Sequence, residues 1–288
     1  MKWYYIMTKA FGTVFILIII LLIPHANADH WGKPKINGPG PWNENLVISI
    51  TDPNKQTLFN SKKVLVKQAG VANFVLINNI PRLYFQWLPT SKDLEENFDH
   101  IAFIDYKNGW SSPKIISIPF SGKPHQYPVD PTVVSLKNGK FRLYFTTVDK
   151  KERTFIASAI SDDGVNFSLE EGKRFRDKKL NLKDSAVVFY KGLWHIISPS
   201  HKSDGQGFYG VSKDGINFER KNNVKVNTRG DWLGNLTIID EKVFFFGTGF
   251  IASTLDFKNW KLESNLSAAD PAVILYDNKG FLVSTSRN

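Results

Sequence analysis

The hydrophobic and polar positions of this chain repeat as one unit: an apolar strand, a polar turn and an aromatic-rich strand, opened by an acidic or amide residue. The five copies are NFVLINNIPRLYFQW from Asn73, DPTVVSLKNGKFRLYFTT from Asp130, DSAVVFYKGLWHIISPS from Asp184, NLTIIDEKVFFFGTG from Asn235 and DPAVILYDNKGFLVSTS from Asp270. Strands rich in β-branched and aromatic residues around Gly- and Asn-containing turns are typical of hairpins. Because the apolar runs are nearly continuous, we expect these strands to be covered on both faces, as in stacked blades.

A second unit lies between these hairpins, a strand that leads into an acidic turn and an aromatic residue. It reads AISDDGVNF at 159–167, GVSKDGINF at 210–218 and ASTLDFKNW at 252–260, with a looser copy, AFIDYKNGW, at 102–110. Asp-Gly pairs favour tight turns, so these segments are predicted to be the outer hairpins of the same units. Four of the five first-type hairpins are followed by such a segment, and the last one is not.

The missing partner stands near the other end of the chain, where LVISITDPNKQTLF at 46–59 has the same order of strand, acidic turn and aromatic residue. The last blade is therefore predicted to combine inner strands from about 270–287 with outer strands from about 46–68. Such a closure leaves no open sheet edge in the ring.

These repeats predict an all-β fold, a five-bladed β-propeller whose ring is closed by N-terminal strands that complete the last blade. A β-sandwich with a similar number of strands is the alternative, but it requires neither five copies of one unit nor a half-unit at each end. Almost no stretch has the pattern of a long amphipathic helix, and 91–98 are predicted to form one or two helical turns within a loop. Residues 29–288 are expected to form a single domain.

The N-terminal residues have the pattern of a targeting segment. Two lysines accompany an apolar run of 13 residues at 11–23, which is shorter than the roughly 20 residues that span a bilayer and fits the core of a signal peptide. Ala26-Asn27-Ala28 has the small-x-small pattern of a cleavage site. We predict that 1–28 are a signal peptide, that the protein is exported to the periplasm or secreted, and that it has no membrane attachment after cleavage. An uncleaved anchor is the alternative.

Composition excludes several classes of protein. A hydrophobic fraction of 42% with 14% aromatic residues fills a sizeable core, and the absence of cysteine excludes disulfides and thiolate metal sites. The formal net charge is +10, of which +8 remains once the two lysines of 1–28 are removed. A basic exported protein favours an anionic partner such as an acidic glycan, although solubility explains the charge equally well. No arginine-rich run indicates a nucleic-acid partner.

The hairpin starts are the candidate chemical site, because the innermost strands of a propeller line its channel and begin at one mouth of it. Three of the five starts are the carboxylates Asp130, Asp184 and Asp270. Converging carboxylates are what general acid/base chemistry on a glycosidic bond requires: one protonates the leaving oxygen, one activates water or attacks, and one adjusts the pKa values of the others.

The VDPTVV and ADPAVI starts, each followed by a short hairpin with an aromatic second strand, resemble the five-bladed propeller glycosidases. That superfamily contains the family 43 arabinanases and xylosidases and the related fructan-active enzymes. The resemblance covers essentially the whole mature chain through short motifs. It implies a glycoside hydrolase-like protein with an Asp base or nucleophile on the first blade, a pKa-adjusting Asp on the second and a Glu acid on the third.

By position, the resemblance gives Asp130 the second-blade role and places Asp184, one methylene shorter than Glu, at the third-blade acid position. Asn73 falls where the first-blade Asp is expected, and an amide cannot act as a base. Either another carboxylate supplies that role, namely Asp270 or the loop residues Asp204 and Asp231, or the propeller is catalytically inactive and binds a glycan or a protein partner. A misalignment of the divergent first blade is a further alternative.

Other side chains near the hairpin starts are candidates for substrate binding. His125 precedes the second hairpin, and His201 lies in the polar loop SPSHKSDGQG. Trp87 and Trp232 adjoin channel strands, where an aromatic ring can stack on a sugar, although core packing is the default expectation for both. His195 lies within a strand and is expected in the core.

The expected partner is an oligo- or polysaccharide, an acidic one among the alternatives, bound by a monomer. No HExxH or EF-hand motif is present, so no metal or cofactor is predicted. A single Ca²⁺ in the channel is the alternative, because some relatives of this fold hold a cation there. A sialidase interpretation is disfavoured, since SDDGVNF and SKDGINF are one residue tighter than the Asp-box S-x-D-x-G-x-x-W and the repeats number five rather than six.

Overall fold

The computed structural model describes residues 40–51, 62–96, 99–120, 127–149 and 153–287. The predicted signal peptide with its cleavage site, and the candidate His125, lie outside the described residues. Within them the structure is almost entirely β, and antiparallel sheets form the five blades of a propeller, which confirms the predicted fold class.

The strands are numbered in chain order. After a 3₁₀ turn at Pro41–Asn43, the N-terminal strands are β1 (Glu44–Thr51) and β2 (Lys63–Lys67). The first blade contains β3 (Ala69–Ile77), β4 (Ile80–Trp87), the helix α1 (Ser91–Glu96), β5 (His100–Asp105) and β6 (Lys114–Ile115). The second contains β7 (Val129–Ser135), β8 (Phe141–Val148), β9 (Thr154–Ser161) and β10 (Ser168–Phe175). The third contains β11 (Ala186–Tyr190), β12 (Leu193–Pro199), β13 (Gln206–Ser212), β14 (Glu219–Arg220) and β15 (Val224–Lys225).

The fourth blade contains β16 (Asp231–Ile239), β17 (Lys242–Thr254) and β18 (Lys261–Leu266). β17 pairs with β16 through its first half and with β18 through its second half, and Gly249, with φ +92°, stands at the junction. One element thus takes the second and third strand positions of this blade, in keeping with the short spacing to the next repeat.

The last blade joins the two ends of the described chain. β19 (Ala269–Tyr276) and β20 (Lys279–Arg287) form its inner hairpin, and the strand order is β19-β20-β1-β2. β20 pairs with the whole of β1, from Glu44 opposite Arg287 to Thr51 opposite Gly280. The predicted closure of the ring by the N-terminal strands is confirmed.

The hydrophobic core is divided into five clusters, one at each contact between neighbouring blades. Adjacent residues of β12 show why the strands are apolar throughout: Ile196 packs toward the second blade and Ile197 toward the fourth, and both are fully buried. Stacking of blades face to face therefore buries both sides of each sheet, as the continuous apolar runs predict.

The acidic turns of the outer hairpins follow one plan. In the second blade, Asp163 Oδ1 accepts the backbone N–H groups of Val165 and Asn166, each at 2.8 Å. The turn's Gly164 carbonyl accepts the hydroxyl of Tyr84 in the first blade at 2.5 Å. The same set of bonds recurs in the turns at 212–217 and 254–259. Each acidic residue shapes a turn, and the turn of the second blade is held by the blade before it.

The predicted helical turns within 91–98 correspond to α1. Thr90 and Asp93 cap its start reciprocally: the Thr90 N–H donates to Asp93 Oδ2 and the Asp93 N–H to Thr90 Oγ1, each at 3.1 Å. Among the described residues, no helix has both the length and the apolar character needed to cross a membrane.

Candidate functional site

The innermost strands are interrupted by residues in the left-handed region of backbone space. The φ angle is +54° at Asp130, +49° at Asp184 and +46° at Asp270. In β7 and β19 the pairing register shifts at this same residue, so the backbone bulges there. A bulge redirects a side chain out of the regular alternation of a strand, and this one turns the three carboxylates toward one another.

The backbone of each left-handed residue is held by the preceding blade. The N–H of Asp130 donates to Gln86 Oε1 at 3.2 Å, that of Asp184 to Thr146 Oγ1 at 3.1 Å, and that of Asp270 to Thr248 Oγ1 at 2.9 Å. These acceptors lie on second strands, in the blade before the carboxylate in each case. Blade stacking thereby fixes the position of the carboxylates.

The three predicted catalytic carboxylates do come together. Asp130 and Asp184 are hydrogen-bonded to each other, and Asp270 lies within electrostatic range of Asp184. All three are buried, with 9%, 9% and 6% of their surface exposed. Like charges at such short range in a buried place cannot all ionise, so their protonation states must differ.

Asp184 is the ionised member of this set. Burial by itself raises the pKa of Asp184, but the contact with His201 and the charge of Lys183 outweigh it and hold the pKa below its ordinary value. His201 Nε2 stands 3.3 Å from Asp184 Oδ2. Because His201 and Lys183 favour its charged form, Asp184 is a carboxylate able to accept a proton or attack carbon.

Asp130 and Asp270 are the protonated members. Burial, and next to it the negative charge of Asp184, raise the pKa of Asp130 well above its ordinary value. Burial likewise raises the pKa of Asp270, with further contributions from the charges of Asp184 and Glu44, against one hydrogen bond from the Val71 N–H. The site therefore pairs a carboxylate with two proton donors.

This electrostatic arrangement changes one role inferred from the resemblance. The resemblance places Asp184 at the position of the acid, whereas its surroundings make it the ionised group, and Asp270, considered as a replacement base, is the protonated one. The physical reason is local: His201 and Lys183 act on Asp184, while Asp270 has acidic groups as its charged neighbours.

Two polar groups lie beside Asp184. His201 Nε2 pairs with Asp184 Oδ2 at 3.3 Å, and both atoms are buried. Asp231 Oδ1 is also buried and makes no hydrogen bond within the part of the chain that the structure describes. Burial raises the pKa of Asp231, against the opposing influence of His201. Of the two carboxylates considered as replacement bases, Asp231, at the start of β16, lies within electrostatic range of Asp184, whereas Asp204 bonds Ser200 and Gln206 in its own turn.

The first blade requires a correction to the alignment. The register shift of β3 lies between Gly70 and Asn73, and Val71 has the left-handed φ of +48°. Val71 is therefore the counterpart of Asp130, and Asn73 stands two residues further on. Asn73 is 4% exposed, and its Oδ1 accepts the Val133 N–H at 2.8 Å, so it ties the first blade to the second. The first blade contributes no carboxylate at this position.

Sequence reasoning missed two further carboxylates near the site. Glu44 at the start of β1 is 9% exposed, and burial raises its pKa against a Gly40 N–H and the charge of Arg287. Its Oε2 lies 3.7 Å from the position that a Cβ would take on Gly70, the residue that precedes Val71. No motif marks it, because only the closure of the ring brings β1 next to the first blade.

Asp99 is the second. Its Oδ2 accepts Gln86 Nε2 at 2.8 Å, and Gln86 in turn accepts the N–H of Asp130. Burial raises the pKa of Asp99 to about 7, against the Gln86 hydrogen bond. The carboxyl therefore orients the amide that holds Asp130. In the sequence Asp99 stands among other acidic residues of a loop and is not distinguished from them.

The two tryptophans considered for sugar stacking pack on core clusters, which is the default expectation for both. Trp232 is fully buried, donates its Nε1 hydrogen to the Gly205 carbonyl at 2.8 Å and packs edge-on against Trp260, so it belongs to the core. Trp87 is half-buried and packs on the cluster between the last and first blades. His195 is buried and stacks on Phe257 with 3.8 Å between the ring centroids, and burial lowers its pKa to about 4, as expected of a core histidine.

The fold and the site together define a class: a five-bladed propeller with buried carboxylates converging where its innermost strands begin. Three solved structures that share this fold are glycoside hydrolases. One is a family 117 glycoside hydrolase of the marine bacterium Zobellia galactanivorans, with 13% identity, coverage of 75% of this chain and 84% of that one, and a TM-score of 0.56. Another is a family 43 β-xylosidase/α-arabinofuranosidase from a compost microbial metagenome, with 12% identity, coverage of 76% and 90%, and a TM-score of 0.55.

The third is fructan 1-exohydrolase IIa from Cichorium intybus, with 12% identity, coverage of 73% of this chain and 49% of that one, and a TM-score of 0.55. No protein-family model matches the sequence, and no curated protein matches it. At these identities the likeness establishes the shared five-bladed fold of propeller glycoside hydrolases. Within the described residues, no three His, Asp or Glu side chains are grouped to hold a metal ion.

Proposed function

We propose that this protein hydrolyses a glycosidic bond of an oligo- or polysaccharide at the mouth of its channel. The observation that carries the proposal is the convergence of Asp130, Asp184 and Asp270 with opposite protonation states. An ionised carboxylate beside a protonated one is the pair that glycoside hydrolysis needs. The fold shared with known glycoside hydrolases supports the same conclusion.

In the proposed reaction Asp270 gives its proton to the leaving oxygen as the bond from that oxygen to the anomeric carbon breaks. Asp184 either takes a proton from the water whose oxygen bonds to the anomeric carbon, or bonds to that carbon itself before water replaces it. Asp130 adjusts Asp184 by holding the proton that the two would otherwise share. His201, which pairs with Asp184, and the open Oδ1 of Asp231 bind sugar hydroxyls.

The N-terminal targeting pattern supports a substrate outside the cytoplasm. We infer that the exported propeller meets a polysaccharide in the periplasm or surroundings of the cell and acts on it as a monomer. The net charge of +8 that remains without 1–28 favours an acidic glycan among the possible substrates.

A panel of aryl glycosides and polysaccharides, neutral and acidic, tests the proposal through the release of aglycone or reducing ends. The wild type should turn over at least one substrate, and Asp184→Asn and Asp270→Asn should each lower kcat by about 10²–10⁴-fold. Asp277→Asn is the matched control, because Asp277 also has a left-handed φ, of +51°, but lies exposed in the turn between β19 and β20. The proposal would be contradicted if the wild type turned over no substrate of the panel, or if Asp184→Asn kept full activity.

A second candidate, a glycan-binding propeller without activity, is favoured by Val71, which leaves the first blade without its carboxylate. It predicts that the wild type binds an oligosaccharide without releasing product and that Asp184→Asn binds it with similar affinity. Binding and turnover measured on the same panel separate the two candidates.

A further inference from the structure

A cavity of about 360 Å³ lies at the outer edge of the propeller, where the second and third blades meet. It is formed by the end of β10 and by the turn that leads into β14, so it stands apart from the innermost strands and their carboxylates. Its lining residues are Lys173, Arg174, Arg176, Asn217, Phe218 and Glu219.

The basic side of this cavity is built by an irregularity in β10. Glu170 pairs with Ser158, but the next paired residue is Phe175, opposite Ile156, so residues 171–174 stand out of the ladder. Gly172, with φ +95°, allows the excursion, and a Cβ there would lie 3.1 Å from the Arg174 guanidinium. An outer strand that bulges in this way redirects its side chains.

Arg174 is a buried cation that no carboxylate of the described residues contacts as an ion pair. It is 3% exposed, its Nε has no partner among the described residues, and another guanidinium nitrogen donates to the uncharged Glu171 carbonyl. Burial is the main reason why the pKa of Arg174 lies below its ordinary value. The neighbouring carboxylate, Glu170, is already bound by both arms of Arg142, at 2.7 and 2.9 Å. Two guanidinium groups thus share one carboxylate.

The other carboxylates around the cavity do not contact Arg174 in the described residues. Asp214 acts on Arg174 only at a distance, and its oxygens accept hydrogen bonds from the amides of its own turn. Glu219 has a side chain 74% exposed and pairs with Lys221 at 2.6 Å. Lys173 binds Asp149 at 3.0 Å, and Arg176 is exposed, so the cavity keeps an excess of positive charge.

We propose that this cavity binds the carboxylate or sulfate group of an acidic sugar, with Arg174 as its principal partner. A buried charge is destabilising unless it is paired, and an oxyanion is the group whose geometry matches the guanidinium fork. Phe218, half-buried at the same cavity, offers an apolar surface to the sugar ring. The volume suits one monosaccharide unit. The site is independent of the carboxylates at the channel.

Thermal unfolding with added probes tests this site without reference to activity. Sodium sulfate and glucuronic acid should each raise the unfolding temperature of the wild type along a saturable curve, whereas glucose, and chloride at matched ionic strength, should not. Glucuronic acid should saturate at a lower concentration than sulfate, because its ring adds contacts with Phe218. Calorimetric titration should give one site for each anion.

Arg174→Met removes the charge while keeping an unbranched side chain, and it should unfold at a temperature equal to or above that of the wild type without anion, because the buried cation is gone. It should lose at least tenfold in affinity for both anions. Lys258→Gln is the matched control, because it also removes one positive charge but at an exposed position. Lys258 lies in the turn of the fourth blade that is equivalent to the turn beside the cavity, and the variant should bind like the wild type. The proposal would be overturned if Arg174→Met bound the anions with wild-type affinity. It would also be overturned if glucuronic acid raised the unfolding temperature no more than glucose, or if chloride alone raised it. If Arg174→Met fails to fold, Arg176→Gln should still lower the affinity severalfold, and unchanged binding would count against the site.

Discussion

At the scale of single residues, the site depends on left-handed backbone positions that most side chains avoid. Asp adopts such a conformation more readily than most residues, since its short polar side chain bonds locally. Val71 keeps the same φ, +48°, although it is β-branched and therefore disfavoured there. The backbone of the first blade thus has the same left-handed start as the three aspartates, with no carboxylate at this position.

Replacing Val71 tests this conformational strain. Val71→Gly should stabilise the protein by about 1 kcal/mol, because glycine accepts a positive φ without steric cost. The stability of Val71→Ala should fall between those of the wild type and Val71→Gly, since this change removes the β-branch but keeps the Cβ atom. Urea unfolding measures the change, and a destabilisation by both substitutions would show that Val71 is not strained.

Asp270 is expected to cost stability at neutral pH. Its folded-state pKa is raised, mainly by burial, so its favourable contribution is complete below about pH 4 and is lost as the pH rises through the folded pKa. Asn also tolerates the left-handed backbone, so Asp270→Asn should be more stable than the wild type at pH 8, by about 1 kcal/mol. The difference should shrink toward pH 4. Unfolding curves at both pH values measure it, and a difference that does not vary with pH would contradict the assignment.

At the scale of elements, the acidic turns could be predicted from their motif, but their contacts with the neighbouring blade could not. Their sequences predict tight turns, and the bonds of Asp163, Asp214 and Asp256 to backbone amides show why the acid is required. Their contact with the preceding blade could not be predicted, because it pairs residues about 80 positions apart in the case of Tyr84 and Gly164.

Asp214→Ala should destabilise the protein by about 1 kcal/mol at pH 7, because the N–H groups of Ile216 and Asn217 lose their acceptor. Burial by itself raises the pKa of Asp214, but the hydrogen bonds from Asn217, Ser212 and Ile216 together outweigh it and hold the pKa below its ordinary value. The wild-type advantage should therefore diminish as the pH falls below about 4. Asp162→Ala, at an exposed position beside an equivalent turn, is the control and should change stability by less than about 0.5 kcal/mol. Equal effects of the two changes would contradict this account of the turn.

At the scale of the whole molecule, the repeat was sufficient to predict five blades and the closure by β1 and β20. It also indicated which carboxylates meet, because equivalent positions of a ring share one place. It was insufficient for Val71, whose two-residue offset depends on a bulge, and for Glu44, which reaches the site only through closure. The protonation states depend on His201 and Lys183, whose proximity to Asp184 is a property of the folded ring.

Closure should make the blades unfold together. Leu46 of β1 is fully buried between the last and first blades, and Leu46→Ala should cost about 2–4 kcal/mol. Leu275→Ala, at a position 38% exposed, should cost far less. Fluorescence and circular dichroism should report one coincident transition for both variants. An early, separate transition in Leu46→Ala that leaves the other blades folded would contradict a ring held by β1.

The central claim is that three converging carboxylates hold different protonation states, and site-resolved carboxyl NMR tests it most directly. Protein labelled with ¹³C at aspartate carboxyls, with signals assigned through the Asp130→Asn, Asp184→Asn and Asp270→Asn variants, would be titrated between about pH 3 and pH 9. As the pH rises, Asp184 is predicted to lose its proton first, below the range of an ordinary aspartate, and Asp130 and Asp270 to lose theirs well above that range. Three signals that titrate together near pH 4, as independent aspartates do, would contradict it.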